Sequence, residues 1–546
     1  MKLEQRANLQ TKFGLMKYTY LSIVLLTNIL LFISCKKRET VFTDNDVFRY
    51  NESANIQTLD PAFARNMAII WPCNQIFNGL VQLDDSLQVQ PDIAESWQIS
   101  PDGKTYEFVL RNDVFFHKHP NFGEDSTRIV VADDFVYSFD RVLNEKTASP
   151  GTWVFNNVES YKALNDSVFQ IQLTKPFPAF LSLLSMEYAS VVPKEITEDP
   201  EIDFRSNPIG TGPYQFKIWE ENVKLVLRKN PNYHEYDSTG KRLPYLESIA
   251  ITFLPDKQSS YLQFIQGKND FISGLDPSYK DDLLQPNGML QEKYNQSIHK
   301  ETGPYLNTEY LGFNMNDPLI QDKRIRKALN IGFDRHKMIA YLRNGMGDAN
   351  VYGIIPNGLQ GKGKEDSNLY NPSLAKQLVD EVKRDTKAPI LLTLNTNSTY
   401  LDIAEYLQRE WKKIGIDVNV DVMPPSTLRQ SIATNKVTFF RGSWIADYPD
   451  AENYLSLFYS KNFTPNGPNY THFKSIEFDK LYELALQTVD DEERIKLYEK
   501  MDKIIAEEIP VIVLFYDKAA RFSQQNISGL SINPMNILNV KYIKKH

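Results

Sequence analysis

Apolar and polar residues follow two different periods along the chain, and segments of the two kinds alternate. Residues 390–394 form a short apolar run typical of a buried strand, and residues 401–411 carry apolar positions at helical spacing. Residues 416–422 alternate strictly between apolar and polar, as a half-buried strand does. Strand, helix and strand at this spacing predict a β-α-β unit, so the pattern favours an α/β fold.

The same patterns predict further elements on both sides of this unit. A Pro-Asp-Gly turn at residues 101–103 joins two alternating runs and predicts a β-hairpin. Further strands are predicted at residues 47–50, 168–173, 246–254, 310–316 and 511–516. Further helices are predicted at residues 132–139, 322–330, 478–489 and 492–506.

Residues 437–460 are the most informative stretch of the chain. Residues 437–440 form a short apolar run that suits a buried strand, and we expect the strand to break at Gly442, with Trp444 just beyond it. Residues 447–450 read Asp-Tyr-Pro-Asp, which predicts a turn. Asp450 can then cap a short amphipathic helix.

A cation, an aromatic ring and an anion lie close together at the end of this predicted strand. They are Arg441, Trp444 and Asp447. Ligands of open α/β sheets bind outside strand ends, and this trio suits a small zwitterion in extended form. A purely structural role fits as well, because an Asp before Tyr-Pro is often a turn former and a Trp beside a strand usually belongs to a core. Spacing alone leaves both interpretations open.

The N-terminus carries a short apolar run at residues 21–33, behind Lys17 and before Ser34 and Cys35. The run is too short to span a membrane comfortably and matches the apolar region of a signal peptide. Its ending resembles the lipobox of bacterial lipoproteins, in which the cysteine is lipidated and becomes the first residue. We predict a signal peptide at 1–34, lipidation of Cys35 and a tether at 35–45. An ordinary signal peptide with an incidental cysteine is the alternative.

Length and charge narrow the class of protein. The chain has 546 residues, a net charge of −8 and two cysteines. A chain of this length is expected to form about two to four domains. No Lys/Arg-rich block appears outside the N-terminus, and a sequence-independent hold on phosphates needs clustered cations, so we exclude nucleic acid as a partner. Cys73 is expected to be a small buried hydrophobe rather than half of a disulfide.

No catalytic constellation appears in the sequence. There is no Gly-x-Ser-x-Gly motif, and residues 361–364 lack the spacing and the Ser or Thr of a P-loop. Residues 210–214 read Gly-Thr-Gly-Pro-Tyr, without the third glycine of a dinucleotide loop. His117 and His119 flank a lysine and are expected to be solvated rather than metal-bound. We therefore predict that the protein is not an enzyme and needs no metal or cofactor.

Several motifs, in order along the chain, carry a resemblance to a known family. They are Leu59-Asp60-Pro61, Ala94-Glu95-Ser96-Trp97, Gly210-Thr211-Gly212-Pro213-Tyr214, and Trp444-Ile445-Ala446-Asp447-Tyr448. Together they resemble the family 5 extracellular solute-binding proteins, which are the peptide-, nickel- and oligosaccharide-binding components of ABC importers. The resemblance covers nearly all of the chain from Val47 onwards.

The resemblance implies an α/β, two-lobed periplasmic-binding-protein-like fold of the large class, with the ligand cleft between the lobes. Lobe I is expected at residues 46–62, 208–303 and 511–546, with an extra subdomain at 63–207. Lobe II is expected at residues 304–510. The ligand would be enclosed by hinge closure.

The resemblance also implies roles for individual residues. The family residue that matches Asp447 holds a peptide amino terminus, and Arg441 can meet a carboxylate end. Ligand backbone is expected to pair with strand-end backbone on both lobes, and Tyr400 is a candidate for the pocket floor. The implied ligand-binding residues are Arg65, Asn66, Met67, Tyr400, Arg441, Ser443, Trp444, Ile445, Ala446 and Asp447.

The implied function is high-affinity capture of short peptides and their delivery to ABC permease subunits. The implied location is the periplasm or cell envelope, for a monomer anchored to the membrane through lipid on Cys35. A nickel chelate, haem or an oligosaccharide remain alternative ligands within the family. A surface peptidase would need a nucleophile or a metal triad, which we do not find, and a non-transport sensor or adhesin is a further alternative.

Overall fold

The computed structural model describes residues 46–276, 278–364 and 370–546. The predicted signal peptide, tether and lipidated Cys35 lie outside these residues and stay predictions. Residues 47–546 form one compact unit. Among the described residues, no helix is both long enough and apolar enough to cross a membrane.

The described residues form 18 strands in four sheets. The strands are β1 (Val47–Asn51), β2 (Val81–Leu83), β3 (Val89–Pro91), β4 (Ala94–Ile99), β5 (Thr105–Leu110), β6 (Val158–Asn165), β7 (Val168–Leu173), β8 (Tyr214–Glu220), β9 (Lys224–Lys229), β10 (Ser248–Thr252), β11 (Phe271–Ser273), β12 (Ile298–Phe313), β13 (Leu391–Thr396), β14 (Asp417–Val422), β15 (Phe439–Ile445), β16 (Val511–Gln524), β17 (Ile527–Ser528) and β18 (Lys544–Lys545).

The same part of the chain forms 15 α-helices. They are α1 (Met67–Ile76), α2 (Ala132–Leu143), α3 (Phe180–Leu183), α4 (Lys194–Thr197), α5 (Lys257–Ile265), α6 (Lys280–Leu283), α7 (Pro318–Gln321), α8 (Lys323–Ile331), α9 (Arg335–Arg343), α10 (Pro372–Thr386), α11 (Leu401–Lys413), α12 (Pro425–Ala433), α13 (Glu452–Leu455), α14 (Ile476–Ala485) and α15 (Asp491–Glu508).

A ten-stranded sheet runs through the unit in the order β14-β13-β15-β12-β16-β11-β1-β10-β9-β8. Its middle is the antiparallel pair β12 and β16, which are 16 and 14 residues long. The C-terminal part of β12 also pairs with β15, and the C-terminal part of β16 pairs with β11. One strand pair therefore joins two groups of strands in a single sheet.

Separate apolar cores stabilise the two ends of this sheet. One core packs α8, α10 and α11 against β13 and β15, with Trp411 and Phe439 fully buried. A different core surrounds Phe48 of β1 and Leu227 of β9. The lobe and subdomain boundaries expected from the sequence stay a prediction.

A four-stranded antiparallel sheet, in the order β4-β5-β7-β6, packs against α2. Its core is rich in phenylalanine and also contains Tyr448, which follows β15 in the chain. The Tyr448 ring centroid lies 6.3 Å from those of Trp153 and of Phe177. The loop after β15 is thus packed against the core of this smaller sheet.

Several predicted elements are confirmed. β13, α11 and β14 form the predicted β-α-β unit with parallel strands, and β4 pairs with β5 as the predicted hairpin. Cys73 is buried and forms no disulfide, as expected. The expectation that His117 is solvated is wrong, because its ring is buried and its Nε2 lies 2.9 Å from the Gly212 carbonyl oxygen.

The predicted strand break at Gly442 is also wrong. β15 continues to Ile445 and stays paired with β12 over its whole length. Gly442 lies opposite Tyr310, and a Cβ at Gly442 would lie 2.7 Å from the Tyr310 ring. The ring therefore occupies the space that a side chain would need, and the glycine allows the strand to continue.

Gly312 provides a test of how tightly β12 and β15 pack. It lies opposite Phe440, and a Cβ on Gly312 would lie 2.5 Å from that ring. We expect Gly312→Val to lower the free energy of unfolding by about 1–3 kcal/mol, because overpacking forces the ring or the strand to move. Urea unfolding measures the loss. The valine should cost less in a Phe440→Ala background, and equal costs would contradict this packing.

Candidate functional site

A cavity of about 600 Å³ lies among segments that are far apart in sequence. Residues 64–92 and 150–190 form much of its wall, and residues 533–541 contribute from the C-terminal end. Tyr305 and residues 445–449 close another side. Apolar and aromatic side chains alternate there with a few charged ones, which is typical of ligand sites.

The cavity brings together two of the predicted site segments. The predicted residues that line it are Arg65, Asn66, Met67, Ile445, Ala446 and Asp447. Tyr400, Arg441, Ser443 and Trp444 are not among the residues that line it. The structure thus places the loop after Leu59-Asp60-Pro61 on the same cavity as the Asp447 loop.

Asn453 holds the Asp447 loop in place. Its Oδ1 accepts a hydrogen bond of 2.8 Å from the Trp444 indole Nε1 and one of 3.3 Å from the Asp447 backbone nitrogen. The Ala446 backbone nitrogen donates to the Leu306 carbonyl at 2.9 Å. Trp444 therefore acts on the loop through Asn453 rather than as a wall of the cavity.

Asp447 lines the cavity, and its carboxyl has no ion-pair partner in the described part of the chain. Within the described chain, no Lys, Arg or His pairs with it. Its side chain is accessible to cavity water, but the surrounding protein keeps most of the bulk solvent away. This desolvation raises the pKa of Asp447, and hydrogen bonding from the Asn453 side chain opposes the rise. The site therefore holds an anion that is exposed on the cavity wall, partly desolvated, and unmatched by any described cation.

The facing wall contains the start of α1. Asn66 is the N-cap of this helix, and its Oδ1 accepts from the Ile69 backbone nitrogen at 3.3 Å. Met67 is the first helical residue, so its N–H has no acceptor within the helix. Arg65 precedes the cap, and its guanidinium forms no hydrogen bond or ion pair with the described residues.

Tyr188 lies within electrostatic range of both charges. Burial raises the pKa of the Tyr188 hydroxyl to about 12, and the negative charges of Glu187 and Asp447 add to the rise. The positive charge of Arg65 acts in the opposite direction. Arg65 and Asp447 are thus opposite charges on one cavity, near one tyrosine.

Arg441 has a different partner from the one expected. It forms an ion pair with the buried Glu309, and its guanidinium carbon lies 3.3 Å from the centroid of the Tyr400 ring. The Tyr400 hydroxyl donates to Glu309 at 3.2 Å. Because β15 is extended, residues 441 and 445 are about 13 Å apart along the strand. Arg441 and Tyr400 therefore meet each other, at a distance from the Asp447 loop.

The cavity also contains functional candidates that the sequence did not indicate. Glu187 and Tyr188 belong to a short 3-10 turn, and Lys541 comes from the C-terminal segment. None lies in a motif, and only the tertiary fold brings them to the 445–447 loop. No sequence signal that we recognise could have found them.

One group of potential metal ligands occurs in the described residues, namely Asp92, His234 and Glu235. Asp92 accepts from Asn78 at 2.9 Å and contacts the His234 Nε2 at 3.1 Å. Glu235 forms a 2.8 Å ion pair with Lys541. Protein groups thus already contact all three side chains, although the buried Nδ1 of His234 has no hydrogen-bond partner among the described residues.

The family model of the bacterial extracellular solute-binding proteins, family 5 (middle), matches residues 88–466. The chain belongs to this family. The family consists of solute-binding proteins and not of enzymes.

Relatives of this family 5 protein cover most of its length. The dipeptide-binding protein of Escherichia coli is 25% identical over 488 residues, which is 84% of this chain and 87% of the relative. Heme-binding protein A of Haemophilus influenzae is 27% identical over 463 residues, which is 80% of this chain and 81% of the relative.

A solved relative shows the fold. The periplasmic binding protein DppA of Helicobacter pylori, in complex with the peptide STSA, superposes with a TM-score of 0.73 at 23% identity. The superposition covers 91% of this chain and 98% of DppA. The expected two-lobed α/β fold of periplasmic binding proteins is thereby confirmed.

The Asn453 anchor of this family 5 protein can be tested through stability. We expect Asn453→Ala to lower the free energy of unfolding by about 1–3 kcal/mol, because the Trp444 indole and the Asp447 N–H lose their acceptor. In a Trp444→Phe background the same change should cost less, since one donor is already gone. Urea unfolding of the four proteins measures both costs. Equal costs in the two backgrounds would rule out the shared anchor.

Proposed function

We propose that this protein captures short peptides in the cavity and delivers them to an ABC permease, with the peptide amino terminus bound by Asp447. One observation carries the proposal, namely that Asp447 lines a partly open cavity, that its carboxyl is partly shielded from bulk water, and that it pairs with no described cation. An ammonium group offers three donors and a full positive charge. It is the chemical complement that such a carboxylate lacks.

The energetics favour a charged ligand end over a neutral one. Charge-assisted hydrogen bonds are roughly twice as strong as neutral ones. A buried charge without a partner costs several kcal/mol, so a ligand that fills the cavity must match Asp447. A peptide amino terminus does this at the cost of little ligand volume.

We assign the peptide carboxylate to Arg65. Arg65 lines the cavity and its guanidinium has no partner among the described residues, whereas Arg441 is already matched by Glu309. Opposite charges on one cavity suit both ends of one short zwitterion. The carboxylate role that the sequence suggested for Arg441 therefore passes to Arg65.

The ligand backbone would pair with the open edge of β15. This strand pairs with β12 as far as Ile445, but it meets β13 only at Asn395↔Phe440. Among the described strands, β13 does not pair with residues 443–445, so this edge of β15 is open to β-strand addition, and Ile445 is the residue of the three that lines the cavity. Main-chain pairing would provide affinity with little dependence on ligand sequence, with Met67 contributing from the other wall.

The remaining parts of the proposal concern the cell envelope. Cys35 would carry the lipid that anchors a monomer to the membrane, after cleavage of residues 1–34. Hinge closure would enclose the peptide. The relative Heme-binding protein A makes haem a necessary comparison in any binding test, and the nickel chelate left open by the sequence makes nickel–histidine another.

Asp447 gives the central test. We expect Asp447→Asn to weaken binding of trialanine at least ~100-fold, about 2.7 kcal/mol, because the amide cannot match the ammonium charge. Isothermal titration calorimetry measures the change, with haem and nickel–histidine titrated into the wild type in parallel. N-acetyl-trialanine should bind the wild type as poorly as trialanine binds the variant.

Asp84→Asn is the matched control for this test. Asp84 lines the same cavity, but its Oδ1 accepts from the backbone nitrogens of Ser86 and Gln88 at 2.9 Å, contacts that an asparagine can keep. The substitution removes only the acceptor of the exposed Gln90 side chain, which donates to Oδ2 at 2.9 Å. Its affinity for trialanine should stay close to that of the wild type. Unchanged binding by Asp447→Asn, or wild-type binding of haem alone, would end the proposal.

Arg65 gives a second test, in which the ligand is varied as well. We expect Arg65→Gln to weaken trialanine binding about tenfold or more and to leave trialanine amide unaffected, because only the free carboxylate uses the guanidinium. Calorimetry with the two peptides measures the difference. Arg441→Gln is the comparison variant and should not discriminate between the peptides. Discrimination lost in Arg441→Gln but kept in Arg65→Gln would return the carboxylate site to Arg441.

A further inference from the structure

We infer that Glu187 selects peptides with a basic side chain. The inference rests on the proposed function and extends it from the ends of the peptide to one of its side chains. Glu187 opens the 3-10 turn Glu187–Ala189, which lines the cavity and packs against the turn Pro61–Phe63 and against α1. Glu187 therefore lies on the wall that also presents Arg65.

The charges that line the cavity divide into two groups. Some are matched by protein: Asp84 by its own loop, Asp92 by Asn78 and His234, and Lys541 by Glu235. The others are Arg65, Glu187 and Asp447, none of which forms an ion pair with the described residues. The Glu187 carboxyl accepts no hydrogen bond from any other described residue. Two acidic side chains and one basic side chain on the cavity walls are thus available to pair with a ligand.

A neutral peptide would match only part of this set. Its ammonium and carboxylate groups would satisfy Asp447 and Arg65, and Glu187 would be left facing an apolar ligand atom. A lysine or arginine side chain would supply the missing cation. Its aliphatic stem could pack on Met186 and Trp153, which also line the cavity, since long basic side chains bury their stems on apolar surfaces.

Partial burial supports this role for Glu187. It raises the pKa of the carboxyl to about 7, so the group is partly protonated near neutral pH. A nearby ligand cation would favour the ionised form and release the proton. The titratable groups near this turn include Cys73 and Tyr188, whose pKa values the negative charge of Glu187 raises, and Asp60, which acts on Cys73 and forms an ion pair with Arg141. Burial holds the pKa of Cys73 well above its usual value and that of Tyr188 at about 12, so neither competes for this titration.

The test compares peptides that differ only in one side-chain charge. Calorimetry would use trialanine with lysine placed at each position in turn, and the same peptides with norleucine, which has a similar stem and no charge. At one position the wild type should bind the lysine peptide about tenfold or more tightly than the norleucine peptide. In Glu187→Gln this preference should disappear, while norleucine peptides bind within about twofold of wild type.

The possible results separate the role of Glu187 from the peptide-binding proposal. Equal binding of lysine and norleucine peptides at every position of the wild type would overturn the inference and leave the peptide-binding proposal intact. So would a lysine preference that survives in Glu187→Gln. Failure of all the peptides to bind the wild type would overturn both.

A pH series on the wild type tests the same inference without a variant. Because the raised pKa means that protons compete with a ligand cation, affinity for the preferred lysine peptide should rise as pH increases through about 7. The norleucine peptide should show no matching change over this interval. Parallel pH profiles for the two peptides would contradict the role of Glu187.

Discussion

The antiparallel ladder between β12 and β16 is the constraint on which the rest of the structure depends. It joins the strands on both sides into one sheet, and β15 takes its register from β12. The Leu306 carbonyl of β12 accepts from the Ala446 nitrogen at 2.9 Å and from the Tyr454 hydroxyl at 2.7 Å. Both ends of the Asp447 loop are therefore fixed to the strand that also holds the two ends of the protein together.

Buried charged residues away from the cavity differ from the charged residues on its walls in whether protein groups pair with them. Away from the cavity, buried ions have protein partners, as Glu309 has in Arg441 and Asp60 has in Arg141. On the cavity walls, Arg65, Glu187 and Asp447 have none within the described residues. A ligand that covered one of these charges without matching it would leave a buried charge, which costs several kcal/mol, so a ligand that fills the cavity is expected to carry opposite charges. Charged side chains without a protein partner therefore mark the site more clearly than any sequence motif does.

Local pattern was enough to predict the elements near the site, but not their partners. The β-α-β unit and the hairpin could be predicted because hydrophobic period and turn residues are local properties. The break at Gly442 was wrong because Tyr310, distant in sequence, completes the strand. Arg441 looked available because its partner, Glu309, lies on another strand.

The same limit explains which cavity residues were missed. A family motif made it possible to predict Arg65, Asn66 and Met67 as site residues. Glu187 lies in no motif, and only the tertiary fold places it on the cavity. Motif spacing could not have distinguished Asp447, which faces the cavity, from Arg441, which does not. That distinction depends on the extended geometry of β15.

Tyr448, next to Asp447, lines the cavity, so the width of the cavity depends on where the Tyr448 ring is packed. The ring is buried in the core of the smaller sheet, while its hydroxyl donates to Glu452, which also accepts from Tyr482. A movement of this wall that widens the cavity would have to remove the Tyr448 ring from the core of the smaller sheet, while its hydroxyl stays hydrogen-bonded to Glu452. Close-packed interiors rearrange between discrete states. We therefore expect this wall of the cavity to occupy either a closed or an open conformation, with few intermediate positions.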